Sequence, residues 1–180
     1  RPVAIPAEAN GLFPVFAERD GLSAPSPNWI RVSPASAVNE AEPNDAPDKA
    51  TALPAAPCAA HGVLDKPGDA DLFRFPAKKD QDLAIEIHAR RLRSPADPVL
   101  DLRDAAGKSL GNNDDQGGPD SILNWKCPAD GDFTISVSDH LRRGGPDFTY
   151  RLEISPRPPE IPADRPVAAH HQPPTTHMPC

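Results

Sequence analysis

The sequence is poor in aromatic residues and in basic clusters, and it has no long apolar run. Aromatic side chains make up 5% of the 180 residues, so the core must be small and aliphatic. No run approaches the roughly 18 apolar residues of a membrane-spanning helix, and we expect no membrane span. The net charge is −7, and Arg90, Arg91 and Arg93 form the only basic cluster. We therefore expect no nucleic-acid partner, because phosphate binding needs a broader basic face.

Cysteine is also scarce, and its spacing excludes two kinds of site. Cys58, Cys127 and Cys180 show no C-x-x-C spacing, which argues against a zinc knuckle or a redox pair. Cys58 and Cys127 lie in strand-like segments, where they form either a disulfide or two small buried apolar side chains. Cys180 is at the end of the chain, and we expect a free thiol there.

Motifs of hydrolytic enzymes are missing as well. Neither G-x-S-x-G nor H-E-x-x-H occurs, so we expect no enzymatic activity from these residues. His88 falls on the polar face of a strand and is predicted to be solvated, as are His61 and His140 at strand or loop edges. The chain opens on Arg1 without a signal peptide, which indicates a mature product or a fragment.

Proline, in contrast, is abundant and unevenly distributed. The 25 prolines concentrate before residue 60 and after residue 155. We predict three regions: residues 1–38 are a linker or the remnant of an upstream β domain, 39–156 are the folded domain, and 157–180 are a disordered proline-rich tail.

Apolar residues in the middle region alternate with polar ones, which is typical of strands with one buried face. The alternation appears in DLFRF, DLAIEIHAR, VLDLR, ILNWK, DFTISVS and FTYRLEI, and turn-forming stretches such as KPGD and RRGGPD separate these runs. Strands so closely spaced indicate an antiparallel sheet, because parallel strands need long crossovers. The sequence therefore predicts an all-β, antiparallel β-sandwich with irregular proline-rich extensions.

The stretch NEAEPND at residues 39–45 concentrates oxygen-bearing side chains. Glu40 and Glu42 share a face of an extended backbone, and Pro43 favours a turn that brings Asn44 and Asp45 towards them. Converging carboxylates repel one another unless a cation lies between them, and Ca²⁺ takes 6–8 such oxygens.

Two further acidic stretches offer oxygens. Asp69 and Asp71 in GDAD precede a strand and complete the candidate Ca²⁺ site if the two segments are neighbours. The alternative is a solvated acidic linker followed by a solvated turn. A weaker candidate is the loop GNNDDQGGPD, with Asn113, Asp114, Asp115 and Asp120.

An ordered series of motifs resembles one family. EAEPNDAPDKATAL, HGVLDKPGDADLFRF, LDLRDAAGKSLGNNDD, SILNWKCPADGDFTISVSD and GPDFTYRLEIS follow one another as in the bacterial pre-peptidase C-terminal domain, which is related to the collagen-binding modules of clostridial collagenases. The resemblance implies a secreted, noncatalytic, jelly-roll-like β-sandwich. In the collagen-binding relatives the matching acidic segments bind Ca²⁺, which points to Glu40, Glu42, Asn44, Asp45, Asp69 and Asp71. Collagen binding does not carry over, because Tyr150 is the only tyrosine and alternates with the inward residues.

The sequence is compatible with three functions. The first is an accessory module of an exported bacterial protein that spaces neighbouring domains or binds an extracellular polymer or protein. The second is a maturation or secretion appendage of a secreted protease. The third is a fragment of an enzyme whose catalytic residues lie outside these 180 residues. All three place the chain outside the cytoplasm, in the periplasm or the extracellular space.

Overall fold

A computed structural model of the chain describes residues 4–116 and 118–157. Its strands are β1 (Gly11–Val15), β2 (Glu18–Arg19), β3 (Leu22–Ser23), β4 (Asn28–Val32), β5 (Ser36–Asn39), β6 (Thr51–Ala52), β7 (Cys58–Val63), β8 (Ala70–Ala77), β9 (Asp82–His88), β10 (Pro98–Arg103), β11 (Ser109–Asn113), β12 (Ile122–Lys126), β13 (Gly131–Asp139) and β14 (Thr149–Pro156). Single 3₁₀ turns lie at Pro47–Lys49 and Arg90–Leu92. Within these ranges, no helix has the length and apolar character to cross a membrane.

Ten of the strands form two five-stranded sheets. The first sheet has the order β11-β10-β13-β8-β6, and the second has the order β12-β9-β14-β7-β5. Pairing is antiparallel except at one edge of each sheet, where β5 lies parallel to β7 and β6 lies parallel to β8. The predicted all-β, antiparallel sandwich is confirmed. Because β5 and β6 belong to different sheets, the chain between them crosses from the second sheet to the first.

The core lies between the two sheets and follows the predicted alternation. The largest fully buried side chains are Phe73, Phe75, Leu64, Leu83, Ile85, Ile87, Leu100, Leu102, Ile135, Leu152, Ile154 and Val137. Each side chain of this kind contributes about 1.5–3 kcal/mol when it leaves water. Trp125 and Phe133 meet edge to face at 4.7 Å at one end of this core. Phe73, Phe75, Trp125, Phe133 and Tyr150 are buried in this core, whereas Phe16 and Trp29 near the N-terminus are exposed.

The two cysteines of the sandwich lie in this interior. Cys58 and Cys127 are both buried and free, so the second of the two alternatives holds and they act as small apolar side chains. Burial raises the pKa of the Cys58 thiol to about 11, which keeps it protonated and unreactive at neutral pH. Cys180 and the predicted tail lie outside the described residues, except for residue 157.

Residues 11–32, in the predicted linker or upstream remnant, form two short antiparallel pairs, β1 with β4 and β2 with β3. The β1/β4 pair, called the N-terminal ribbon below, lies against the outer face of the second sheet. Arg31 on β4 pairs with Glu153 on β14 at 2.7 Å, and both side chains are largely buried. The strand β5 follows the ribbon, so the sheet takes in residues 36–38 upstream of the predicted boundary at residue 39.

The ribbon changes the environment of the second sheet's polar face. His88 is 3% exposed, so the prediction that it is solvated was wrong. The alternation placed His88 correctly on the outer face, but it could not reveal that β4 packs over that face. Glu153 lies 3.8 Å from the His88 ring and also pairs with Arg151, and together these groups form a covered polar layer.

Candidate metal centre

The acidic segment NEAEPND is the crossing between the two sheets. The backbone N–H of Glu40 donates to the carbonyl of His61 on β7 at 3.0 Å, and the N–H of Leu72 on β8 donates to the carbonyl of Asn44 at 3.1 Å. The peptide bond between Glu42 and Pro43 is cis. The segment is therefore held by one sheet at its start and by the other sheet four residues later.

Three carboxylates converge at this crossing. One oxygen from each of Glu40, Glu42 and Asp71 lies within 4.8 Å of the others. The Tyr150 hydroxyl donates to Asp71 Oδ2 at 2.5 Å and lies 3.5 Å from Glu40 Oε2. The other oxygen of Glu40 accepts the backbone N–H of Val63 at 2.6 Å. Strands β7, β8 and β14 thus fix the positions of Glu40 and Asp71.

Two buried oxygens of the cluster are unsatisfied. Asn44 and Asp71 are both 0% exposed. The Oδ1 atom of each has no hydrogen-bond partner among residues 4–116 and 118–157. An unsatisfied buried polar atom costs roughly 1–3 kcal/mol, so both oxygens would gain free energy from a ligand that coordinates them.

The pKa values of two carboxylates in this cluster are raised. Burial raises the pKa of Asp71 to about 9, and the nearby Glu40 carboxylate adds to this rise, although the hydrogen bond from Tyr150 opposes it. Burial likewise raises the pKa of Glu40, and repulsion from Glu42 adds to it. A cation among these oxygens would reverse both shifts, because it favours the charged carboxylates.

A second acidic group adjoins the first through Glu42. Oxygens of Glu42, Asp65 and Asp69 lie within 4.8 Å of one another. Asp69 Oδ2 accepts the backbone N–H of Asp65 at 2.7 Å. Lys66 Nζ lies 3.1 Å from Asp69 Oδ1 and 3.6 Å from Asp45 Oδ2. One lysine therefore already offsets part of the negative charge of this second group, and its hydrogen bond with Asp69 raises the pKa of Lys66.

The six residues predicted from the sequence therefore do not form a single cluster. The structure brings Glu40, Glu42, Asn44 and Asp71 to one cluster. Asp69 lies in the adjoining group, and Asp45 is exposed and faces Lys66.

Sequence reasoning missed two residues that shape the cluster. Tyr150 pairs with Gly62 across β14 and β7, and its ring lies over that glycine. A Cβ at Gly62 would stand 2.3 Å from the ring and 2.7 Å from Glu40 Oε2. The sequence offered only one indication of this arrangement, namely that the single tyrosine lies on the inward face of a predicted strand.

The weaker candidate loop is arranged differently from the prediction. Oxygens of Asp97, Asp114 and Asp115 lie within 4.8 Å of one another. Asp120 instead accepts backbone N–H groups of residues 89–91, and Asn113 accepts the N–H of Ile122. Asp114 pairs with His140 at 2.7 Å. Three of the four predicted oxygen donors, Asn113, Asp114 and Asp120, thus have partners of their own within the protein.

The donor set at the first cluster fits a hard cation. Glu40, Glu42, Asn44 and Asp71 offer carboxylate and amide oxygens, and none of them offers nitrogen or sulfur. Such ligands suit Ca²⁺, whose flexible coordination accepts oxygens at about 2.3–2.6 Å. Two of these oxygens are buried and unpartnered, which a solvated acidic linker does not explain.

Comparisons with known proteins give one related sequence and several similar folds. No protein-family model matches the chain. A probable subtilase-type serine protease of Deinococcus radiodurans is 42% identical over 77 residues, which cover 42% of this chain and 11% of the protease. The match thus spans less than half of this chain and a small part of that relative.

Among solved structures, the pre-peptidase C-terminal domain of a Bacillus anthracis collagenase aligns with a TM-score of 0.49 and 16% identity. The alignment covers 62% of this chain and all of that domain. A periplasmic inhibitor of g-type lysozyme from Aeromonas hydrophila aligns with a TM-score of 0.42 and 17% identity, over 59% of this chain and 96% of the inhibitor. The chain is therefore similar to a pre-peptidase C-terminal domain, as its motifs predicted, and to a segment of a subtilase-type protease.

Proposed function

We propose that the chain is a noncatalytic accessory β-sandwich of an exported protease. The match to a segment of a subtilase-type serine protease carries this proposal, because it covers only 11% of that protein. It favours the appendage of a secreted protease over the general spacing or polymer-binding module. On this proposal, the partners of the chain are neighbouring domains of the same polypeptide, in the extracellular space or the periplasm.

The proposal implies a longer protease that contains this chain. Expression of that protease with and without residues 36–157 tests the role. We expect the deletion to lower the amount of mature protease in the culture medium, while purified mature enzyme keeps its activity per molecule on casein. The 180-residue chain alone should not hydrolyse casein. Equal yields of mature protease from both forms would contradict the accessory role, and hydrolysis by the chain alone would contradict the noncatalytic one.

Within this role, we propose that Ca²⁺ binds Glu40, Glu42, Asn44 and Asp71. The supporting observation is the convergence of three carboxylates with two unpartnered buried oxygens. The ion would replace repulsion between the carboxylates by attraction to a shared cation. It would thereby fasten the crossing segment to both sheets and order the entry to the sandwich.

Thermal unfolding with calcium or with chelator tests the metal site. A site with a Kd near 10 µM adds about 2.7 kcal/mol at 1 mM Ca²⁺, and about 2–4 °C accompanies each kcal/mol for a chain of this size. We therefore expect the midpoint to rise by roughly 5–10 °C over the midpoint in EGTA.

Glu42→Gln keeps an oxygen that can accept the N–H of Asn44 but removes the charge, so its calcium response should largely disappear. Glu18→Gln is the matched control, because Glu18 is an exposed glutamate on β2. An unchanged midpoint of the original chain at 1 mM Ca²⁺ would rule out the metal.

A further inference from the structure

A groove of about 560 Å³ crosses the outer face of the first sheet. One end is formed by Asp45 and Pro47, and the other end is the turn at 104–107. Between these ends, the floor consists of outward side chains of β8, β13 and β10. Its volume lies within the range of about 300–1,000 Å³ that is usual for ligand sites.

Two arginines stand in one row across this floor. Arg74 on β8 is in register with Thr134 on β13, and Thr134 is in register with Arg103 on β10. Adjacent strands are about 4.8 Å apart, so the Cα atoms of the two arginines are separated by about 9.6 Å. The groove therefore presents two guanidinium groups on either side of a hydroxyl, and Asp45, Asp104 and Asp132 place carboxylates around this row.

Several polar groups of the floor are free to bind a ligand. Among the described residues, the Arg74 guanidinium and the hydroxyls of Thr134 and Ser136 have no side-chain partner. Arg103 donates to Asp101 through Nε and Nη2, both at 2.7 Å, and its Nη1 remains available. Asp132, which also lines the groove, is exposed and has no ion-pair partner in the described part of the chain.

We propose that this groove binds an extended peptide that carries two acidic side chains two residues apart. Arginine recognises carboxylates through paired N–H donors, and arginine clusters are a recurrent means of binding acidic motifs. In an extended peptide, side chains i and i+2 share a face and are about 7 Å apart, which the two long arginine side chains can span. Asp132 then accepts a backbone N–H of the peptide. This inference does not depend on the Ca²⁺ site proposed at Glu40.

Fluorescence anisotropy with two labelled peptides tests the proposal. The probes are fluorescein-GSEAESG and its neutral counterpart fluorescein-GSQAQSG, in 50 mM NaCl with 1 mM Ca²⁺ or with EGTA. We expect saturable binding of the acidic probe in both buffers and at least tenfold weaker binding of the neutral probe. The chain has a net charge of −7, so general electrostatics repel the acidic probe, and its binding reports the local groove.

Three variants assign the binding to the groove. Arg74→Gln should weaken binding of the acidic probe at least tenfold without moving the thermal unfolding midpoint, because Arg74 has no partner in the described structure. Arg103→Gln should weaken it as well. Arg19→Gln, at an exposed arginine of the N-terminal region, should leave the affinity unchanged. Absence of saturable binding, equal affinity for both probes, or full binding by Arg74→Gln would overturn the proposal.

Discussion

The substitution Asp71→Asn distinguishes the effect of the buried carboxylate on folding stability from its effect on calcium binding. Asp71 is 0% exposed, and its pKa is raised from 3.8 to about 9. At pH 7 the unfolded chain has lost this proton and the metal-free native state holds it, at a free-energy cost on the order of 4 kcal/mol. Asparagine has nearly the same shape, and its Oδ1 can still accept the Tyr150 hydroxyl. We therefore expect the variant to be more stable than the original chain when no calcium is present.

The pH dependence follows from the direction of the shift. Because the pKa of Asp71 is higher in the folded state than in the unfolded state, its contribution to stability is fully present below pH 3.8. That contribution is lost progressively as the pH rises towards 9. The variant and the original chain should thus unfold at similar temperatures at pH 3.5. At pH 7 in EGTA, the variant should unfold roughly 10 °C higher.

Circular dichroism during heating, at pH 3.5, 5 and 7, measures these differences. Addition of 1 mM Ca²⁺ at pH 7 should raise the midpoint of the original chain and leave that of Asp71→Asn nearly unchanged. Asp147→Asn, at an exposed aspartate, is the matched control and should behave like the original chain. A lower midpoint for Asp71→Asn in EGTA at pH 7, or a difference that is equal at pH 3.5 and pH 7, would refute the reasoning.

Three further substitutions probe packing and charge elsewhere. Gly62→Ala places a Cβ against the Tyr150 ring and should lower the free energy of unfolding in urea by about 1–3 kcal/mol. Burial raises the pKa of the Asp139 carboxyl, but hydrogen bonds from a guanidinium and from backbone N–H groups lower it to about 2. The stabilisation that these bonds give to the folded state is lost as the pH falls through this range. Asp139→Asn should therefore reduce the loss of stability between pH 4 and pH 2 by about 2 kcal/mol, as measured in acid titrations followed by fluorescence. Arg31→Met removes a buried partner of Glu153 and should speed hydrogen exchange in the N-terminal ribbon, whereas unchanged exchange would show that the ion pair does not hold the ribbon.

The strands that could be predicted are those with one apolar face. Leu83, Ile85 and Ile87 alternate with less buried residues because β9 has one face in the core, and the same holds for Phe133, Ile135 and Val137 of β13. The edge strands β5 and β6 were not recognisable. They have four and two residues, and they pair in parallel with strands that are not adjacent in the sequence. The local sequence of these two strands does not indicate which strands they pair with.

The candidate site was predictable only to the extent that it is local. Glu40 and Glu42 share a face because they are two residues apart on an extended segment. The approach of Asp71 required the assumption that two separate segments are neighbours in the sandwich. Tyr150 and Gly62 could not be found, because their pairing depends on the register of β7 and β14. Asp45 lies instead 3.6 Å from Lys66, a cation that the pattern of carboxylates along the sequence does not reveal.

The two outer faces of the sandwich differ in what they leave open to a partner. On the second sheet, the N-terminal ribbon covers β14, so that Arg151 and Glu153 are only 8% and 6% exposed. On the first sheet, Arg74 is exposed, and no strand among the described residues lies over it. The crossing segment borders this open face through Asp45, which also lines the groove. Within residues 4–116 and 118–157, the two arginines therefore stand on a face that no strand covers, whereas the charged side chains of β14 are enclosed by the ribbon.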